Sequence, residues 1–191
     1  MLLDAPTASR LVDQAVTALC SAPDSFCEVL DGLPAPIYVT DSEGTITYFN
    51  NACVALAGRT PQCGRDKWCV TWKVYTTDGE FLPHDQCPMA VAIREKRAIR
   101  NVEAVARRPD GSTVNFVPFP TPYYDAEGNL AGAVNLLLDI SRHRGPGFLH
   151  DQADRCRRLA GSITDSAAAE TLDRMAAKYD AQALKLARPA H

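Results

Sequence analysis

From Thr7 to Cys20 the apolar residues are Ala8, Leu11, Val12, Ala15, Val16 and Leu19. They recur every three to four positions, which predicts a helix with one apolar stripe. Thr7 or Pro6 opens it and Pro23 closes it. Ser25 and Glu28 have capping-box spacing, and Phe26, Val29 and Leu30 give a short second helix its apolar side. Gly32 and Pro34 stop that helix.

The period then changes. Ile37 to Thr40 reads as a strand, Asp41-Ser42-Glu43-Gly44 as a turn and Thr45 to Asn50 as a second strand. Asn51 to Gly58 is a short helix ending at its glycine. Thr60 to Leu82 holds Trp68, Trp72, Tyr75 and Phe81 among turn residues, and reads as short helical turns and loops folded across a core. Asp85 to Arg97 is a helix capped by Asp85, with Pro88 in its first turn and Met89, Ala92, Ile93 and Lys96 on one face. Strands follow over Val102–Arg107, Thr113–Tyr124 and Leu130–Ile140, joined by the turns Arg108-Pro109-Asp110-Gly111 and Asp125-Ala126-Glu127-Gly128. Such short connections make these strands antiparallel neighbours. Two strands, several helices and three strands define an α+β fold around one antiparallel sheet.

The middle of the last three strands carries Pro118, Pro120 and Pro122. Alternate residues of a strand turn their backbone groups to the same neighbour. All three missing N–H donors therefore fall on one side, expected to be the side of the shorter Val102–Arg107 strand.

Ser141 to Gly147 reads as a linker. Beyond it, Leu149, Ala153, Cys156, Leu159 or Ala160, and Ile163 keep helical spacing, and Asp165 can cap a final helix. In that helix Leu172, Met175, Tyr179, Ala183 and Leu186 form a seam. It fits a coiled coil between chains or an antiparallel hairpin that buries its own stripe.

Composition narrows the function classes. The chain has 191 residues, 46% hydrophobic and 23% charged, with a net charge of -3. An acidic balance argues against a general nucleic-acid binder. No apolar run reaches the length of a membrane span, and the first residues lack a signal-peptide pattern, so a cytoplasmic location is expected. The seven cysteines, Cys20, Cys27, Cys53, Cys63, Cys69, Cys87 and Cys156, show no CxxC spacing and are expected to be reduced, mostly small hydrophobic residues. No GxSxG, HExxH or P-loop pattern occurs. His143 and His150 read as linker histidines, and His191 has no motif around it.

The segment Leu33 to Gly44, the run Ile46-Thr47-Tyr48-Phe49-Asn50-Asn51-Ala52 and the turn Arg108-Pro109-Asp110-Gly111-Ser112 occur in order. They are followed by Asp125-Ala126-Glu127-Gly128 and by Gly132 to Ser141, which ends Asp139-Ile140-Ser141. Together these resemble a PAS domain of a single-PAS bacterial sensor or regulatory protein. The resemblance implies a five-stranded antiparallel sheet with helices on one face, here extended by an N-terminal amphipathic helix and a C-terminal helical hairpin or coiled coil. The expected organisation is a helical flank over 1–29, a PAS-like domain over 30–141, a linker over 142–148 and a helical extension over 149–191.

The resemblance also implies a non-catalytic sensor that dimerises or binds a signalling partner, such as a histidine kinase, through its helical flanks. Leu11, Val12, Val16 and Leu19, with Leu172, Met175 and Tyr179, are the candidate partner surface. The alternative is a small-molecule or haem sensor whose pocket is drawn from Tyr38, Trp68, Trp72, His84, Cys87, Met89 and Asn135. No resident cofactor is the leading expectation. His84 or Cys87 is the candidate iron ligand if haem binds, because imidazole and thiolate both hold haem iron. Cys63 and Cys69 depart from the reactive-cysteine motif of flavin-binding relatives and read as ordinary thiols. Trp68 and Trp72, four apart, are expected to share a helix face and fill the core. Asn135 either finds a hydrogen-bond partner inside or is solvated.

Overall fold

The computed structural model describes residues 4–21, 26–141 and 146–187. Ser25, His143, His191 and most of the expected linker lie outside them. The chain forms two compact units, Met1–Asp139 and Ile140–His191.

In the first unit the helices are α1 (Ala5–Ser21), α2 (Phe26–Asp31), α3 (Asn51–Ala57) and α4 (Pro88–Glu95). The strands are β1 (Ile37–Asp41), β2 (Ile46–Phe49), β3 (Lys73–Tyr75), β4 (Phe81–Leu82), β5 (Ala104–Arg107), β6 (Thr113–Tyr124) and β7 (Leu130–Asp139). They form one sheet in the order β2-β1-β7-β6-β5-β3-β4, antiparallel at every pairing. The sheet thus has seven strands where five were expected. The additional pair is the β3–β4 hairpin, inside the stretch read as helical turns. Strands of three and two residues are too short to show a period, so only pairing with β5 reveals them.

β7 lies between β1 and β6 and is buried on both faces, which accounts for its apolar run, broken only by Asn135. Ala133 and Leu137 join the core with Cys53 and Leu56 of α3 and Met89, Ala90 and Ile93 of α4. Alternation turns Val134, Leu136 and Leu138 to the opposite face. There α1 packs on β6 and β7 and buries Ala8, Val12 and Ala15. The helices inside the sheet region, α3 and α4, thus cover one face as expected, and the N-terminal helix α1 covers the other.

The prolines of β6 follow from its length. β5 stops at the pair Ala104 and Phe116, so β6 continues to Tyr124 with β7 as its one strand partner. Pro120 turns its carbonyl away from β7, accepting hydrogen bonds from Ile99 N–H at 3.1 Å and Arg100 Nη1 at 3.0 Å. Pro118 and Pro122 share its orientation. The missing donors face the expected side, but the segment ahead of β5 covers that edge, not β5 itself.

Asp85 does not cap α4. It lies in a 3-10 turn, His84–Gln86, and Cys87 precedes the helix with Pro88 at its start. Asn50 ties down the entry to α3. Its Oδ1 accepts from Ile37 N–H at 3.1 Å, while Nδ2 donates to the carbonyls of Leu30 at 3.2 Å and Ala35 at 2.8 Å.

The second unit is a helical hairpin of α5 (Pro146–Ala160) and α6 (Ser166–Ala187). Asp165 caps α6, its Oδ1 accepting from Ala167 N–H at 2.9 Å and Ala168 N–H at 3.3 Å. Ala153, Cys156 and Ala176 are buried together, with Leu172 and Tyr179 against them. The seam runs through Ala176 instead of Met175, which is 41% exposed. Small residues here let the two helices approach closely. On α5 it is Ala160, not Leu159, that is buried. The Leu186 side chain is outside the described residues. Asp180 clips the pair by bonding His150 Nδ1 at 3.1 Å and ion-pairing with Arg157. Those contacts, Arg157 first, hold the Asp180 carboxyl below the usual carboxylate range.

Candidate functional site

The candidate site grows from a register contact. Tyr38 of β1 lies opposite Asn135 of β7, and both side chains point to the face covered by α3 and α4. Asn135 Nδ2 donates to Tyr38 Oη at 2.9 Å, and Asn135 Oδ1 accepts from Phe119 N–H at 2.9 Å. The Tyr38 hydroxyl in turn donates to the Trp68 carbonyl at 2.9 Å. Tyr38 is fully buried and Asn135 2% exposed. Asn135 is therefore partnered inside the core and not solvated, as a buried amide must be. Burial, then the nearby Cys69 and Cys87, pushes the Tyr38 phenol well above its ordinary value, so it stays a neutral donor.

Trp68 holds the other end of this chain of bonds. Its φ is 68°, a left-handed conformation that a bulky side chain adopts only where the surroundings impose it. Its N–H donates to the Gly44 carbonyl at 2.7 Å. Its ring lies over Gly44, where a Cβ would sit 2.1 Å from Cε3. Gly44 itself has φ 79°. Turn and tryptophan thus fix each other.

Around Tyr38 lie buried thiols. Cys53 Sγ bonds the Ile37 carbonyl at 3.2 Å, Cys69 Sγ lies 3.1 Å from Thr71 Oγ1, and Cys87 Sγ reaches the Trp68 carbonyl at 3.9 Å. Burial pushes the Cys87 thiol up to about 12 and raises Cys53 and Cys69 as well. All three are held protonated, the form that is poor both as a nucleophile and as an iron ligand. Met89 is fully buried in the same cluster.

Trp72 and His84 stand apart. Trp72 is 44% exposed, with Lys73 Nζ 4.5 Å above its ring, and no helix carries it and Trp68. It neither shares a helix face with Trp68 nor fills the core. His84 sits in the 3-10 turn, near the ion pair of Arg59 and Asp66 that braces the preceding loop. Asp66 Oδ2 also accepts from Gln62 N–H at 3.0 Å. His84 Nε2 is buried with no hydrogen-bond partner. Burial first and Arg59 second depress its basicity.

The sheet order, with its first two strands, last three strands and intervening helices, agrees with one further observation: a family model described as PAS fold matches residues 30–145. The chain belongs to the PAS fold family. The five strands of the expected PAS sheet are β2, β1, β7, β6 and β5, and β3–β4 extends them at one edge. Among solved structures, the chain is similar to the LOV protein of Rhodobacter sphaeroides, at 12% identity over 92% of this chain and 96% of that one, TM-score 0.44. It is also similar to the PAS domain of the fruit-fly ELK potassium channel, at 14% identity over 63% and 98%, TM-score 0.49. A third is the PAS domain of Bordetella pertussis BvgS, at 22% identity over 60% and 81%, TM-score 0.39. No curated protein matches.

Of the residues picked from the sequence, this PAS core brings together Tyr38, Asn135, Met89 and Cys87, with Trp68 at its edge. Two contributions escaped the sequence reading. The backbone of Trp68 is the acceptor of the network, and the buried hydroxyl of Thr40 lacks a hydrogen-bond partner. Strand alternation with Tyr38 was the signal that could have placed Thr40 inward.

On the partner side, Val12 is buried against the chain's own sheet, whereas Leu11, Val16 and Leu19 are half-buried. Leu172 and Tyr179 pack within the hairpin, and Met175, Leu159 and Leu184 are exposed. Among the described residues no helix is long and apolar enough to cross a membrane, and no cluster of three or more metal-ligating side chains occurs.

Proposed function

We propose that this PAS protein is a non-catalytic, cytoplasmic signalling module that dimerises or binds a signalling partner, such as a histidine kinase, through its helical flanks. The observation that carries this reading is the hairpin surface. The two helices meet largely through alanines, with Leu172 and Tyr179 beside them, while Leu159, Met175 and Leu184 face solvent. Helices gain most of their stability from packing an apolar face, so such side chains are suited to a partner. The protonated thiols and the closed Tyr38–Asn135–Trp68 bonds support a structural core over a reaction centre. The proposed boundaries are 1–29, 30–141, 142–148 and 149–191, with α1 laid on the sheet and α5 starting at Pro146, within the proposed linker.

The test is the native mass of the full chain by light scattering across a concentration series. A dimer mass that reverts to monomer in Met175→Glu/Leu184→Glu supports self-association, and a stable complex between a monomeric chain and a histidine kinase supports the kinase arm. A monomer at every concentration that binds no kinase overturns the reading.

The buried, unpartnered Nε2 of His84 favours a second reading, a haem or small-molecule sensor. An absorbance spectrum of fresh protein with a Soret band that disappears in His84→Ala would establish it. The neutral state of Cys87 leaves His84 as the better ligand candidate.

A further inference from the structure

α1 packs over β6 and β7, and the sheet continues past them through β5 and β3 to β4 at its edge. Val74 and Ala106 turn into the core, so alternation points Lys73, Tyr75, Val105 and Arg107 to the opposite, outer face. Tyr75 is paired with Phe81 on one side and with Val105 on the other. The Tyr75 and Phe81 rings meet edge to face with centroids 5.7 Å apart. Phe81 is nevertheless 56% exposed, and the exposed Trp72 ring lies under Lys73 Nζ.

The charges on this face go against the usual pairing of a sheet. Lys73 lies directly opposite Arg107, and like charges in that position repel and destabilise the pair. The other neighbour of Arg107, Thr113 of β6, is neutral. Among the described residues neither cation has a carboxylate within ion-pair distance. Asp110 bonds Ser112 and acts on Arg108, whose guanidinium reaches the carbonyls of Ala55 and Leu56 on the inner side. Glu80, next to Phe81, alternates away from it, and Asp78 lies in the turn at the far end of the hairpin from Lys73. Glu103 has its own contact, four residues from Arg107, about 13 Å in extended backbone. The result is a positive patch beside exposed aromatic rings. A repulsion that one acidic side chain would remove marks a position shaped for binding and not for stability.

We propose that this face docks an acidic segment of a partner protein, with carboxylates on Lys73 and Arg107 and apolar side chains over Trp72 and Phe81. Aromatic anchors supply the buried area and the two cations set the sign of the partner. Two cations are too few to track a phosphate backbone, which favours a polypeptide over a nucleic acid. The surface belongs to the PAS sheet and not to the helical flanks, so it goes beyond the hairpin reading and is tested apart from it.

The test titrates the ¹⁵N-labelled full chain with the synthetic peptide acetyl-DEFEDLEDF-amide. Two controls are acetyl-KKFKKLKKF-amide, which keeps the apolar residues, and oligothymidylate. The acidic peptide is expected to give saturable shifts at the amides of Lys73, Tyr75, Phe81 and Arg107, with a Kd of about 1 mM for an unoptimised segment. Each control should bind at least ~5-fold more weakly. Arg107→Glu sets a carboxylate opposite Lys73. Its thermal unfolding midpoint should be no lower than that of the wild type, because a like pair becomes an opposite one, while its affinity for the acidic peptide falls about 5-fold. Phe81→Ala, at an exposed position, should weaken binding at least ~5-fold. A control that binds as tightly as the acidic peptide, wild-type affinity in either variant, a lowered midpoint in Arg107→Glu, a native dimer that Phe81→Glu splits, or no saturation overturns the proposal.

Discussion

Removing one oxygen atom from the core should expose how its buried polar groups depend on each other. Tyr38→Phe deletes the hydroxyl that accepts from Asn135 Nδ2 and donates to the Trp68 carbonyl. The amide is then left buried without its acceptor, at about 1–3 kcal/mol, and the carbonyl loses a bond worth about 1 kcal/mol. The single variant should therefore lose roughly 3 kcal/mol. Asn135→Leu keeps the Tyr38 to Trp68 bond but leaves the Phe119 N–H, which donated to Asn135 Oδ1, buried without an acceptor, so about 2 kcal/mol is expected. In the double variant the stranded side-chain amide is gone and only the Phe119 N–H and the Trp68 carbonyl have lost a partner, so the total should be about 3 kcal/mol, leaving a coupling of at least ~1 kcal/mol. Urea unfolding followed by circular dichroism supplies the four free energies, with m held constant as the condition for comparison. Additivity within about 0.5 kcal/mol would refute the reasoning, because it would mean the two side chains do not depend on each other.

Gly44→Ala meets both a left-handed φ and the Trp68 ring, and should cost about 3 kcal/mol. Gly79→Ala, with φ 89° and nothing near its new Cβ, should cost only about 1–2 kcal/mol, so the thermal-shift difference isolates the ring contact. His84 has lower basicity in the folded chain than the ordinary 6.5, so the unfolded chain takes up its proton first as pH falls. Its contribution is intact above about pH 6.5 and declines below, and unfolding free energies measured from pH 7 to 5 should fall less steeply in His84→Gln. Asp165→Ala removes the acceptor for Ala167 and Ala168, and should lower protection of the first turn of α6 against hydrogen exchange by about 1 kcal/mol.

Much of the PAS architecture was legible because it rests on local periods and turn chemistry. The Asp41–Gly44, Arg108–Gly111 and Asp125–Gly128 turns connect neighbouring strands as expected, and β6 ends where its pattern does. The helical stripe of α1 and the capping Asp165 were equally plain. What pattern alone left open was the identity of neighbours. Nothing local to Trp72 says that its ring faces solvent, and nothing local to Met175 says that Ala176 faces α5 instead. The β3–β4 hairpin exists because β5 offers it an edge. Asn135 is an interior residue because Tyr38, 97 positions away in sequence, meets it across β1 and β7. Apart from β3–β4, the sequence by itself determined the elements, their order and the faces they prefer to bury. Only the tertiary structure decided which polar groups meet inside and which apolar ones remain outside, because those outcomes depend on contacts between distant segments that no local period encodes.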